Sequence, residues 1–139
     1  MSNDERLLNA FERAVLEKLL DGNHPVLRAL RIQLGSCEVS SREFTGVGFF
    51  TNLKVDRSVE PAPTSRPRIQ VVDVGGKISG LEHGAGFVLF VTDGYLDFLE
   101  GFSYDEPWPP KISEFSLHYE RQRAEDPSAI DAVDDFAGS

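Results

Sequence analysis

The sequence predicts an α+β fold in which an N-terminal helical hairpin packs on a twisted, mostly antiparallel sheet of about five to six strands. Apolar residues recur at helical spacing in residues 1–35. From 37 to 119 the chain is instead rich in β-branched and aromatic residues, in short runs separated by glycine, proline and aspartate. A chain of 139 residues is expected to form a single domain, 1–139, that buries its core without disulfides or metals.

Two amphipathic helices are predicted within residues 1–35. The first begins with Ser2 and Glu5 at the spacing of a capping box. Its apolar face is formed by Leu7, Leu8, Phe11, Val15, Leu16 and Leu19. The second starts at Pro25, a residue suited to the first helical position, and ends before Gly35. Both helices need an apolar surface to cover, and the sheet provides it.

Six segments of the remaining chain have the composition of strands. They lie near 37–44, 46–55, 68–74, 86–91, 95–102 and 112–119. The segment "DRSVEPAPTSRP" between the second and third is rich in proline, which indicates an exposed connection. The acidic tail, 124–139, is expected to be a short helix or a frayed end.

The Asp93-Gly94 pair predicts a tight hairpin, because a two-residue Asp-Gly loop supplies the positive backbone angles of a primed turn. A regular register then pairs Thr92 with Tyr95, Val91 with Leu96, Leu89 with Phe98, and Phe87 with Glu100. This register places Phe98, together with Phe11, in the core between helices and sheet. It also places Glu100 among apolar residues.

The same register gathers polar and aromatic residues at one end of the hairpin. The candidate binding residues are Glu82, His83, Glu100, Tyr104, Asp105 and Trp108, with Glu106 beside them. Burial raises the pKa of a carboxyl group, which suits Glu100 to acid or base chemistry. The competing interpretation is that Glu100 is structural and accepts hydrogen bonds from a neighbouring turn. Trp108, held between two prolines, either forms a binding surface or closes the core.

No catalytic residue, metal or cofactor is assigned from the sequence. The histidines lack short-range pairing, and the one cysteine, Cys37, lies in no recognisable motif. The glycines of "GLEHGAG" lead into a strand, not into the helix that a phosphate-binding loop requires. His83 has three interpretations, namely a general base, a metal ligand and a structural corner. We expect the structural corner, because consecutive residues of an extended segment point to opposite sides.

Charge and composition restrict the partners and the compartment. The net charge of −9, with scattered lysines and arginines, disfavours nucleic acid and favours a basic protein partner. No apolar run is long enough for a membrane span. A single cysteine and the lack of a secretory signal predict a cytoplasmic protein.

The segments "REFTGVGFFT" and "GLEHGAGFVLFVTDGYLDFLEGFSYDEPWP", with the leading amphipathic helix, resemble a family of small bacterial proteins that has no assigned activity. The likeness extends from the first helix to about Tyr119. It implies a single α+β domain in a bacterial cytoplasm. More loosely, the acidic charge and the combination of helices with a sheet resemble toxin-neutralising immunity proteins.

The expected function is a non-enzymatic module that binds a protein partner, in an immunity-like role; the oligomeric state is left open. The alternative is a small-molecule-binding protein or a hydrolase-like enzyme, with its pocket at the end of the sheet that carries Glu82, His83, Glu100 and Trp108. A concave pocket of more than about 300 Å³ in which these groups converge would favour the alternative.

Overall fold

The computed structural model describes residues 5–120 and 133–135. Its elements are α1 (Ala10–Leu19), α2 (Pro25–Leu34), β1 (Glu38–Phe44), β2 (Gly48–Lys54), β3 (Arg68–Ile78), β4 (Ala85–Thr92), β5 (Tyr95–Ser103), β6 (Phe115–Tyr119) and β7 (Val133–Asp135). The strands form an antiparallel sheet in the order β1-β2-β5-β4-β3-β6, and β7 also pairs with β3. The α+β prediction is confirmed.

Helix α1 begins later than the sequence indicates. Asn9 is its N-cap and forms a capping box with Glu12, with hydrogen bonds of 2.8 and 2.9 Å. The predicted box at Ser2 and Glu5 is therefore wrong, since Glu5 precedes the helix. The main-chain carbonyl groups of Glu5 and Leu7 accept hydrogen bonds from the Arg42 guanidinium group, which holds this segment outside the helix.

Helix α2 follows its prediction. Pro25 occupies the first position, and the His24 Nδ1 atom accepts a hydrogen bond of 3.1 Å from the Val26 N–H group. Both helices lie on one face of the sheet, α1 over β3 and β4 and α2 over β5. The largest side chains that are fully buried include Leu16, Leu19, Leu27, Leu30, Ile69, Phe87, Leu89 and Leu99. No helix among the described residues is long and apolar enough to cross a membrane.

The β4–β5 hairpin has the predicted turn, with φ angles of 53° at Asp93 and 83° at Gly94. The first two predicted pairs are also present, but Asp97 then forms a β-bulge that the regular register omits. Beyond it the pairs are Phe90 with Phe98, Leu89 with Leu99, Val88 with Glu100, and Phe87 with Gly101. The predicted pairs Leu89 with Phe98 and Phe87 with Glu100 are wrong.

The bulge has a local cause and a large effect. The Asp97 carboxylate accepts a hydrogen bond of 2.7 Å from the Thr92 hydroxyl group, which holds the extra residue beside the turn. Because side chains alternate along a strand, one extra residue reverses the face of every later residue of β5. Leu99 therefore enters the core, and Phe98 and Glu100 lie on the face away from the helices.

A buried amide joins α2 to the turn of this hairpin. Gln33 is 0 % exposed, and its side-chain N–H groups donate to the carbonyl oxygens of Gly94 at 2.8 Å and Glu60 at 3.2 Å. Its side-chain oxygen accepts from the Leu96 N–H group at 3.0 Å. These three hydrogen bonds satisfy the amide and fix the helix against the end of the hairpin.

The last part of the chain differs in part from its prediction. Strand β6 is shorter than the predicted strand near 112–119. Residues 133–135 of the acidic tail form β7 and not a helix, and the rest of 124–139 lies outside the described residues.

The turn predicts that Gly94→Val destabilises the protein by about 1 to 3 kcal/mol. A Cβ atom at this position would lie 2.7 Å from the Ala62 carbonyl oxygen, and the positive φ angle adds strain. Chemical denaturation of the variant and the wild type measures the loss. An unchanged free energy of unfolding would contradict the turn geometry.

The bulge predicts that Leu99→Ala lowers the free energy of unfolding by about 2 to 5 kcal/mol, as expected for a fully buried leucine. Phe98→Ala is expected to lower it less, because Phe98 is only partly buried on the opposite face. Denaturant titration of both variants compares the losses. A larger loss for Phe98→Ala would support the regular register and contradict the bulge.

Candidate functional site

The face of the sheet away from the helices carries a patch of aromatic and apolar side chains. This aromatic face consists of Phe50, Val88, Phe90, Phe98, Glu100 and Phe102, contributed by the three neighbouring strands β2, β5 and β4. All six residues are partly exposed, whereas their neighbours along each strand are buried under the helices. Alternation along the strands thus gives the sheet two apolar faces, of which the helices cover one.

Ring packing organises the aromatic face. Phe98 stacks on Phe90 with a centroid distance of 4.4 Å and meets Phe50 edge to face at 5.7 Å. Phe102 lies over Gly86, where a Cβ atom would come within 2.7 Å of the ring. Glycine at this position therefore lets the Phe102 ring approach the main chain of β4 closely. The result is a broad surface of fixed rings, not a deep cavity.

Glu100 lies in the middle of the aromatic face. In register it stands between Phe50 on β2 and Val88 on β4. Burial raises the pKa of its carboxyl group above the ordinary value. Within the described part of the chain, no cation and no hydrogen-bond donor contacts this carboxylate. Its charge is thus partly removed from water without compensation.

A second carboxylate on the same face serves as a comparison. Glu43 pairs with Phe50 from the outer strand β1 and is exposed. Its carboxylate accepts a hydrogen bond of 3.0 Å from the Asn52 side chain. Glu43 is therefore more exposed to water than Glu100 and, unlike Glu100, has a hydrogen bond from a side chain of the described structure.

The predicted cluster at the end of the hairpin forms in part. The Glu106 carboxylate accepts hydrogen bonds of 2.8 Å from the main-chain N–H groups of both Glu82 and His83. These bonds hold the pKa of Glu106 below its ordinary value, and the bond from Glu82 has the largest effect. No described residue forms a hydrogen bond with the His83 imidazole, so the corner depends on the main chain. His83→Ala would therefore remove no side-chain hydrogen bond within the described structure.

An open groove of about 630 Å³ runs beside this corner. It is lined by three of the candidate residues, Glu82, His83 and Tyr104, and by His118 and Glu120 among others. His118 Nε2 lies 3.6 Å from the Glu120 carboxylate. No three metal-binding side chains come together within residues 5–120 and 133–135.

The remaining candidates lie elsewhere. The Trp108 ring contacts Phe49 at a centroid distance of 5.3 Å and lines a separate groove of about 340 Å³ near α1. Asp105 is an exposed turn residue with a φ angle of 64°. Glu100 lies on the aromatic face. The structure therefore separates Trp108, Asp105 and Glu100 from the groove residues and does not bring Glu82, His83, Glu100 and Trp108 into one cleft.

A buried ion pair beneath the Trp108 groove was not predicted. Glu12 is 3 % exposed, and Arg42 binds its carboxylate through two hydrogen bonds of 2.8 Å. Thr51 donates a third at 2.7 Å, and the Asn9 N–H group a fourth. Burial raises the pKa of Glu12, but these hydrogen bonds lower it more, so the net pKa is below the ordinary value. The sequence signal was a glutamate on the apolar face of α1.

This pair predicts that Arg42→Met lowers the free energy of unfolding by about 3 to 5 kcal/mol at pH 7, because Glu12 would remain buried without its cation. In the wild type, the ion pair stabilises the fold fully above the pKa of Glu12 in the unfolded chain, which is about 4.3. This stabilisation is lost as pH falls through the lower pKa of Glu12 in the folded protein. In the variant, Glu12 takes up a proton more readily. The difference in free energy of unfolding between the wild type and Arg42→Met should therefore shrink as pH falls towards about 4.

Urea titrations at several pH values measure this effect. Glu17→Gln is the matched control, because Glu17 is an exposed residue of the same helix. We expect the control to change stability by less than about 0.5 kcal/mol. An Arg42→Met loss as small as that of the control would show that the ion pair does not stabilise the fold.

The chain was compared with known proteins. No protein-family model, no curated protein and no solved structure matches it. The resemblance to a family of small bacterial proteins, and the looser likeness to immunity proteins, remain predictions from the sequence.

Proposed function

We propose that this protein is a non-enzymatic interaction module of the bacterial cytoplasm that binds a protein partner on its aromatic face. The observation that carries the proposal is the position of Glu100 among the rings of Phe50, Phe98 and Phe102. Its carboxylate is partly buried and has no counter-ion among residues 5–120. Fixed aromatic side chains bind at low entropic cost and are frequent at the centres of interfaces.

The charge of this surface favours a basic protein over other occupants. Glu43 and Glu100 lie on the face, and the whole chain has a net charge of −9, so the phosphate groups of a nucleic acid would be repelled. A second copy of the chain would bring like charges together on the two faces. A basic toxin neutralised by an acidic immunity-like protein is one partner of the expected kind.

The alternative, a small-molecule binder or hydrolase-like enzyme, draws support from the groove of about 630 Å³ that Glu82, His83 and Tyr104 line. Its volume exceeds the threshold of about 300 Å³ set for such a pocket. The groove is open, however, and neither Glu100 nor Trp108 lines it. The interaction module is therefore the preferred proposal.

The test is affinity capture from bacterial lysate with three baits, namely the wild type, Phe98→Thr and Ile32→Thr. Threonine keeps the β propensity of the strand while removing the ring. Ile32 is the matched control, because it is 71 % exposed on α2, on the other side of the sheet. We expect one protein to be retained by the wild type and by Ile32→Thr and to be lost with Phe98→Thr.

Folding of each bait is checked by its melting temperature, and direct binding of the captured protein by calorimetry. A partner that Phe98→Thr retains at the wild-type level would place the interaction elsewhere. Dimerisation of the wild type that Phe98→Thr abolishes would identify a second copy as the occupant and would contradict the proposal. Specific binding of RNA by the wild type would contradict it as well.

A further inference from the structure

We propose that Glu100 is the receptor for an arginine side chain of the partner, which would lie against the rings of Phe50, Phe98 and Phe102 and bind the carboxylate. This inference rests on the proposed function and specifies the chemistry of the same surface. It assigns to Glu100 the role of a binding residue, in place of the acid, base or structural roles considered from the sequence.

The charge of Glu100 has no compensating partner in the described structure. Moving a carboxylate out of water costs free energy unless a cation or hydrogen-bond donors replace the water. In the described structure Glu12 has four such hydrogen bonds and Glu43 has one from Asn52, but Glu100 has none. The raised pKa of Glu100, caused by burial, agrees with this difference. A bound cation would provide the missing compensation.

Aromatic residues stand on three sides of Glu100 in the sheet. Glu100 stands between Phe50 and Val88 in register, and Phe98 and Phe102 occupy the next positions of β5 on the same face. A ligand that binds the carboxylate therefore lies beside aromatic rings. A cation does so favourably, because the negative face of a ring attracts positive charge.

An arginine side chain suits the surroundings of Glu100 better than a lysine side chain does. A guanidinium group is planar, weakly hydrated and able to stack on a ring while it donates two parallel hydrogen bonds to a carboxylate. An ammonium group is strongly hydrated and would lose more on entering a partly dry surface. Because Glu100 is only partly exposed and stands beside aromatic rings, the weakly hydrated group suits its surroundings better.

The binding test uses small probes, so that the partner need not be known. Nuclear magnetic resonance follows the backbone amides of labelled protein during titration with N-acetyl-arginine methylamide. The citrulline analogue is a neutral probe of nearly the same shape, and the lysine analogue carries the other cation. We expect the arginine probe to shift the amides of β5 around Glu100 and the citrulline probe to leave them unchanged.

Two variants make the test specific. Glu100→Gln is expected to weaken binding of the arginine probe by about tenfold or more. Glu17→Gln removes an equal charge from the exposed side of α1, on the other side of the sheet, and should change binding less than about twofold. Equal weakening in the two variants would indicate general attraction to an acidic protein and would overturn the inference. Binding of the lysine probe as tight as that of the arginine probe would overturn the assignment to arginine.

A stability measurement separates a binding role from a structural one. If Glu100 is reserved for a ligand, Glu100→Gln should raise the melting temperature, because the variant no longer buries an unpaired charge. A lowered melting temperature would mean that the carboxylate supports the fold, and the inference would be wrong.

The captured partner distinguishes failure of this inference from failure of the proposed function. Retention by Glu100→Gln at the wild-type level, with loss in Phe98→Thr, would overturn the arginine receptor alone. Retention by Phe98→Thr would overturn the proposed function. Loss of the captured partner in both variants supports both proposals, provided that a lower salt concentration restores binding to neither variant.

Discussion

The β-bulge at Asp97 is the constraint on which the arrangement of the sheet depends. The hydrogen bond from Thr92 holds one extra residue in β5. Each later side chain of β5 therefore points to the opposite face of the sheet. Leu99 then fills the core, and Glu100 leaves it. Without the bulge, a carboxylate would lie beneath the helices and a leucine would lie among the exposed rings. The core and the aromatic face therefore have a common origin.

The fold was predictable because its signals are local and mutually consistent, such as the helical spacing of apolar residues and the Asp93-Gly94 turn. The bulge was not, because both alternating sets of β5 are apolar and periodicity does not choose between them. The one warning was Glu100 at a core position. The prediction that Glu100 lies beside Glu82 and His83 was wrong for the same reason, because it used the regular register. The start of α1 was missed because Ser2 and Asn9 offer the same capping spacing.

Two glutamates illustrate how a protein treats a charge that leaves water. Glu12 is almost fully buried, but a guanidinium group, a hydroxyl group and a main-chain N–H group surround it. Glu100 is less buried, yet the described structure offers it no such partner. The first arrangement is complete within the chain. In the second, the described chain supplies no partner, so water or a group from outside must supply it. This is why Glu100 carries the functional proposals and Glu12 does not.

The hydrogen bonds of Gln33 also bear on the order in which the protein assembles. Two of the three join residues 61 and 63 positions apart, whereas the hairpin that they bind closes through a two-residue turn. Closing the short loop costs much less chain entropy than bringing distant segments together. We therefore expect the hairpin to form before α2 docks on it and Gln33 to act late on the folding path. Interactions made after the rate-limiting step govern how slowly the folded state opens, so replacing Gln33 is expected to speed unfolding more than it slows folding.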